Sequence, residues 1–247
     1  MACRADNAMN TFISQLMGRM TLEEKIGQLN LLPGGDIVTG KEMDSPLARL
    51  TAEGKLGAVL SLRDPVKIKA LQDIAVKKSR LGIPLLFGYD VIHGFQTVLP
   101  IPLAQACSWD TTAIRRGAAM AARECTSQGI DWVYSPMVDI ALDPRWGRIA
   151  ESSGEDPFLG SAIAKVMVEG LQGNYGPENA MACLKHYALY GAVEAGRDYN
   201  TVDMSEMMFR ERHLPSYKAA IEAGALSVMS SFNDFDGIPA SGNKWLL

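Results

Sequence analysis

The sequence predicts a parallel α/β fold of the (β/α)8, TIM-type barrel class, incomplete, with about six of the eight units a closed barrel needs. Three observations carry this. Short apolar runs alternate with helical stretches, the pattern of parallel strands joined by crossover helices. Polar residues end one run after another: Asp90, Asp139, Lys185-His186 and Asn233. In a barrel that end of every strand faces the active site, whereas a doubly wound sheet gathers its ligand residues at one switch point. Finally, the chain offers six strand candidates, a weak one near Gln28–Leu32 included.

Residues 1–20 read as a helical lead-in and 21–247 as the barrel domain. Thr21-Leu-Glu-Glu24 is a capping box, since Thr21 can accept from the first-turn amides while Glu24 reaches back. Gly57–Leu62 reads as a buried strand, and Asp64-Pro65 as an N-cap and first-turn proline for a helix reaching Arg80. Leu85–Asp90 is the next strand and Asp110–Gln128 the next helix. Trp132–Asp139, a helix opening at Asp156-Pro157 and ending near Gln172, and strand Met181–His186 follow. A helix from about Ser205 to Gly224 is expected to kink at Pro215, and Ala225–Phe232 is the last strand.

The bulk properties exclude several classes. With 47% hydrophobic residues in 247, the chain can bury a large core. A net charge of -4 supplies no basic field for nucleic acid. No run approaches the roughly 18 apolar residues of a membrane span, and no basic start with an apolar run marks a signal peptide. Cys107, Cys125 and Cys183 are expected to be buried small hydrophobes. Met1-Ala-Cys3 fits either a processed lipoprotein start or an ordinary beginning. His93, His186 and His213 have no local spacing for zinc, and no phosphate cradle, dinucleotide fingerprint, serine elbow or calcium loop is present, so neither a metal nor a cofactor is expected.

The residues that carry chemistry cluster in three places. Asp90, in Tyr89-Asp-Val-Ile-His-Gly94, stands where an acceptor-only carboxylate can hold two vicinal hydroxyls or cap the next turn. His93 beside Gly94 fits a turn-bonding role better than a ligand role. Asp143-Pro-Arg-Trp-Gly-Arg148, Glu151 and Gly154-Glu-Asp-Pro157 predict a salt-bridged loop in which one guanidinium faces a ligand. Trp146 there can stack on a sugar ring or cover the loop. Lys185-His186 ends a strand with two donors side by side.

Taken in order, these runs resemble glycoside hydrolase family 3, especially its periplasmic β-glucosidase-like branch in Gram-negative bacteria. The matching segments are Met20–Gln28, Tyr89–Gly94, Ser135–Asp139, Asp143–Arg148, Gly154–Pro157, Lys185–Tyr187 and Tyr199–Met204. The resemblance implies that Asp90, Arg148, Lys185 and His186 hold a terminal sugar of a β-linked glucoside or oligosaccharide. It implies hydrolysis with retention through a covalent glycosyl-enzyme in the full-length protein, and a periplasmic or outer-membrane-anchored location. It places the nucleophile, an Asp in a Ser-Asp-Trp or Ser-Asp-His run, beyond Leu247, and the acid/base in a further domain. Asp234 and Asp236 are assigned to a loop.

The chain departs from the family pattern at Phe232, where many members carry a Tyr. Lys185–Gly196 lacks the loop of the N-acetylhexosaminidase branch, which favours a glucosidase or xylosidase. Two readings compete with glucosidase activity: a catalytically silent sugar-binding fragment and a β-xylosidase. A phosphate-binding barrel enzyme is disfavoured by the missing glycine-rich loop. With open strand edges, residues 1–247 in isolation are expected to aggregate and to hydrolyse no aryl β-glucoside.

Overall fold

The computed structural model describes residues 7–34 and 46–247. Cys3 lies outside them. The chain divides into two compact units, one reaching Tyr89 and including Gln128–Ile130, the other made of Asp90–Ser127 and Asp131–Leu247.

In the first unit, helix α1 (Asn7–Arg19) precedes α2 (Leu22–Gln28), and β1 (Leu31–Pro33) follows. The capping box forms as the sequence requires: Thr21 Oγ1 accepts from the Glu24 amide at 3.2 Å, and Glu24 Oε2 accepts from the Thr21 amide at 2.9 Å. Arg80 then clamps the same carboxylate, with Nε donating to Oε1 at 2.9 Å. Helix α3 (Pro46–Ala52), strand β2 (Ala58–Leu60), α4 (Pro65–Lys78) and β3 (Leu86–Tyr89) complete the unit. Asp64 caps α4 by accepting from the Val66 and Lys67 amides, ahead of Pro65. The three strands run parallel in chain order, with Leu31 beside Ala58 and Ala58 beside Leu86.

The second unit repeats the pattern. It contains α5 (Pro102–Cys107), α6 (Thr111–Ser127), β4 (Trp132–Val133), α7 (Pro157–Gln172) and β5 (Met181–Tyr187). Helix α8 (Glu206–Met208), α9 (Leu214–Glu222) and β6 (Ser227–Ser230) follow. Here β4, β5 and β6 are parallel, again in chain order. Neither unit reverses its strand order, as a doubly wound sheet would at its switch point. Three parallel strands in each unit, each run alternating with helices, make the predicted incomplete barrel class. Strand β5 is the most enclosed: Ala182 to His186 are all buried. Among the described residues β6 pairs only with β5, and its Val228 is exposed.

Four expectations change in detail. The strand predicted over Trp132–Asp139 is regular only at Trp132–Val133. Pro136 has no N–H to give a ladder, so the segment continues through single contacts: Cys183 N donates to Ser135 O, and Val138 N donates to Lys185 O at 2.9 Å. The kink expected at Pro215 becomes a π turn, Phe209–His213, in which Leu214 N reaches Phe209 O. A proline cannot donate to the carbonyl four residues back and crowds it, so the preceding turn widens. Asp234 and Asp236 belong not to an open loop but to a hairpin, β7 (Asp234–Phe235) with β8 (Ile238–Pro239). Its two turn residues, Asp236 and Gly237, have φ of 53° and 71°, the left-handed pair that Asp-Gly favours in such turns. Cys125 and Cys183 are buried, but Cys107 is exposed. Ala106 is the only buried residue of α5, and its neighbour is turned about 100° away on the helix.

No helix among the described residues is long and apolar enough to cross a membrane, and none of their His, Cys, Asp and Glu side chains group to hold a metal ion.

Candidate functional site

The site is built on the carboxyl end of β5. Lys185 and His186 are 2% and 1% exposed, so each charged or polar head must find a partner inside the unit. Lys185 Nζ donates to Asp90 Oδ1 at 2.6 Å, while the Asp90 side chain is 52% exposed. The cation is thus sealed in and the carboxylate faces out.

His186 is gripped from below by Asp139, itself 3% exposed. The Asp139 Oδ2 atom accepts from the His186 amide at 2.9 Å and lies 2.8 Å from Nδ1. On the other side of the ring, Nε2 is 3.3 Å from Nη1 of Arg148. A guanidinium only donates, so Nε2 accepts and the ring proton belongs on Nδ1, shared with Asp139. Tyr217 Oη, 2.9 Å from Asp139 Oδ1 and 2.6 Å from His186 O, closes the network. Burial and the Asp139 charge push the Tyr217 hydroxyl well above its ordinary range, so it remains a donor. Helix α9 supplies this residue and also Ser216, whose Oγ donates to Val138 O at 2.7 Å. Gly191 permits the close approach beneath: a Cβ there would meet Ile140 O at 2.4 Å.

The predicted salt-bridged loop separates its two arginines. Arg145 turns outward onto Asp143, with Nη2 to Oδ2 at 2.6 Å, and the hydrogen bonds from Arg145 bring the Asp143 carboxyl down to about 2. Arg148 turns inward. It makes a paired contact with Glu151, Nε to Oε1 at 2.6 Å and Nη2 to Oε2 at 2.8 Å, and lies 5.5 Å from the centre of the Tyr190 ring. Burial pushes the Glu151 carboxyl up, but the hydrogen bonds and charge of Arg148 outweigh it and hold Glu151 below its usual range.

Asp90, Arg148, Lys185 and His186 therefore lie in one linked cluster: Asp90 to Lys185, its chain neighbour His186, and His186 to Arg148. Trp146 is 1% exposed and donates to Asp198 Oδ1 at 3.0 Å, which makes it a cover for the loop and not a sugar platform. His93 bonds within its own turn, Nδ1 to Leu99 O at 2.9 Å. Sequence reasoning put Glu151 in the salt-bridged loop without choosing its arginine, and it missed the holding roles of Asp139 and Tyr217. The strand-end position of Asp139 was a signal; Tyr217, on a distant helix, gave none.

His213 lies behind this network, 1% exposed, with Nε2 lacking a hydrogen-bond partner among the described residues. Burial holds its imidazole down at about 4; the Asp139 charge pulls it up and that of Arg212 pushes it further down. An unfolded chain protonates this ring near 6.5. Between those values the unfolded state binds the extra proton, so stability present above pH 6.5 is lost as pH falls toward 4. At about 1.4 kcal/mol per tenfold in proton affinity, the loss is about 3 kcal/mol. Urea midpoints at pH 7.5 and 4.5 should differ accordingly, and by clearly less in His213→Gln. An unchanged slope in that variant would assign the pH dependence to other groups.

Comparison with known proteins gives the family. The profile described as "Glycosyl hydrolase family 3 N terminal domain" matches residues 21–247. A periplasmic β-glucosidase of Salmonella typhimurium is 40% identical over 245 residues, which cover 97% of this chain and 31% of that protein. A β-xylosidase of Formosa agariphila is 35% identical over 222 residues, covering 84% and 30%. The chain thus spans about a third of the length of these curated relatives. A mutant β-glucosidase from Listeria innocua, solved with laminaribiose, superposes with a TM-score of 0.88 at 44% identity, over 96% of this chain and 34% of that one. The same bacterium's enzyme solved with isofagomine gives 0.88 at 46%, with the same coverage. The match over residues 21–247 and the 40% identity to the Salmonella typhimurium protein show that the chain belongs to glycosyl hydrolase family 3, in its N-terminal domain.

Proposed function

We propose that this chain forms the sugar-holding part of an exo-acting β-glycosidase of the β-glucosidase type. Asp90 and Lys185 take adjacent hydroxyls of the terminal sugar, Arg148 takes a neighbouring one, and His186 accepts from the next through Nε2 once the sugar displaces the 3.3 Å contact with Arg148. One observation carries the reading: a sealed ammonium and imidazole, held beside a carboxylate that remains half exposed. Such charge-assisted donors and acceptors suit a polyol better than an apolar ligand. The periplasmic relatives support a periplasmic location.

Hydrolysis with retention requires two carboxyl groups about 5 Å apart, one of them a free nucleophile. The acids of this cluster are already engaged: Asp90 by Lys185, Glu151 by Arg148, and Asp139 by His186 and Tyr217. On this reading these acids hold the cluster while nucleophile and acid/base come from other residues, and residues 1–247 alone are expected to release no detectable nitrophenol from nitrophenyl β-glucoside.

Calorimetric titration of the protein made from its complete reading frame tests the binding role. Glucose should bind, and Asp90→Asn should weaken it at least tenfold. Absence of any heat with glucose or a β-glucoside would sink the reading. A β-xylosidase preference is the second reading, favoured by the β-xylosidase among the relatives; xylose binding as tightly as glucose would establish it.

A further inference from the structure

The loop that follows Asp90 is fastened by a carboxylate that the sugar-holding role does not use. Asp90 comes directly after β3, and the next residue, Val91, is buried. From there the chain makes a closed loop. At its neck the Leu99 amide donates to His93 O at 2.8 Å, and His93 Nδ1 lies 2.9 Å from Leu99 O. A carbonyl only accepts, so this Nδ1 carries the ring proton. Helix α6 holds the tip. Glu124 Oε2 accepts from the Gln96 and Thr97 amides at 2.7 and 2.9 Å, and Oε1 accepts from Thr97 Oγ1 at 2.6 Å. The Thr97 hydroxyl, then the Thr97 amide, hold the Glu124 carboxyl below its usual range. Gly117, two turns earlier on the same face of α6, seats the neck: a Cβ there would meet Leu99 Cδ1 at 2.9 Å.

We propose that Glu124 is a positioning residue for Asp90, fixing the backbone from which that carboxylate meets the sugar. This rests on the β-glycosidase reading above. Asp90 needs such a fixture: its side chain is half open to water, and Lys185 engages it through Oδ1. The loop supplies little packing of its own, since Gln96, Thr97 and Val98 are all exposed. A segment with few buried apolar contacts is ordered by its hydrogen bonds and opens readily when they are lost. Three of those bonds end on the one carboxylate of Glu124. A slack tip is felt through the neck at His93, three residues from Asp90. Hydrogen bonds from Asp90 to hydroxyls then lose strength, because they weaken steeply as length and angle leave the ideal. Glutamine can replace this anchor: its carbonyl oxygen accepts both amides, and its NH2 donates to Thr97 Oγ1. Alanine offers neither.

The test is a double-mutant cycle read as kcat/KM for nitrophenyl β-glucoside, using the protein from its complete reading frame. Glu124→Ala should lower kcat/KM about fivefold or more, and Glu124→Gln should recover it to within about twofold of wild type. With Asp90→Ala already in place, Glu124→Ala should cost less than about twofold more, because the group it positions is gone. Amide exchange gives a reading without sugar. Glu124→Ala should speed exchange at Gln96, Thr97 and Leu99 about tenfold or more, while the amides of β5 keep their wild-type rates. A double variant whose loss equals the product of the single losses would overturn the proposal, since Glu124 would then act independently of Asp90. So would an unchanged kcat/KM in Glu124→Ala, a glutamine variant as poor as the alanine one, or no faster exchange in the loop. If the wild-type protein bound no glucose and turned over no β-glucoside, the β-glycosidase reading would fall, and this role with it. Wild-type binding beside a multiplicative cycle overturns the positioning role alone.

Discussion

Asp139→Ala is expected to destabilise the protein by about 3 kcal/mol, while Asp139→Asn costs only about 1 kcal/mol. The contrast follows from counting donors. In the wild-type network Asp139 Oδ2 accepts two of them, the amide and Nδ1–H of His186. Alanine leaves both buried without a partner, and each orphaned buried donor costs roughly 1–3 kcal/mol. The Tyr217 hydroxyl escapes this fate because His186 O, at 2.6 Å, can take its proton. The same alternative explains why asparagine is tolerated. Its amide oxygen can keep both His186 donors, its NH2 can donate to Tyr217 Oη, and Tyr217 can donate to His186 O. Only the strength that the negative charge adds is lost. Urea unfolding of the three proteins reads the difference directly. Equal losses for the two variants would mean that charge, and not the pattern of donors and acceptors, holds the network.

How far the sequence alone reaches can be judged from these same residues. The helix starts at Thr21, Asp64 and Asp156 were legible because each cap bonds to amides within three residues of itself. Strand β5 was legible because burial on both faces makes it an apolar run, and the cluster at its end because Lys185 and His186 interrupt that run. Long-range choices were not legible. Arg145 and Arg148 occupy the same loop with acids on either side, and only the fold decides that Arg148 meets His186 while Arg145 turns to Asp143. Trp146 could be read as a platform or a cover for the same reason. The π turn before Pro215 was foreseen only as an irregularity: the missing amide is visible in the sequence, but the way the backbone absorbs it depends on packing that buries His213.

The salt bridge between Lys185 and Asp90 is expected to be asymmetric, and the asymmetry separates its structural role from its binding role. Asp90→Ala strands an ammonium on a side chain that is only 3% exposed. Removing one partner of a buried ion pair costs about 3–5 kcal/mol, and the open side of this pair reduces that to about 2 kcal/mol. Lys185→Met removes the buried charge and keeps most of the side-chain volume, leaving a carboxylate that is half exposed and that water can solvate. Its stability should remain within about 1 kcal/mol of wild type, or rise, as when buried pairs are replaced by apolar residues. Sugar binding should not follow that order. A charge-assisted hydrogen bond to a hydroxyl contributes about 1.5–3 kcal/mol, so loss of either partner should weaken glucose by roughly 10- to 150-fold. Lys185→Met is then a protein that folds like wild type and binds sugar poorly. If it proved the less stable of the two variants, the pair would be a structural tie, and its claim to hold the sugar would rest on Asp90 alone.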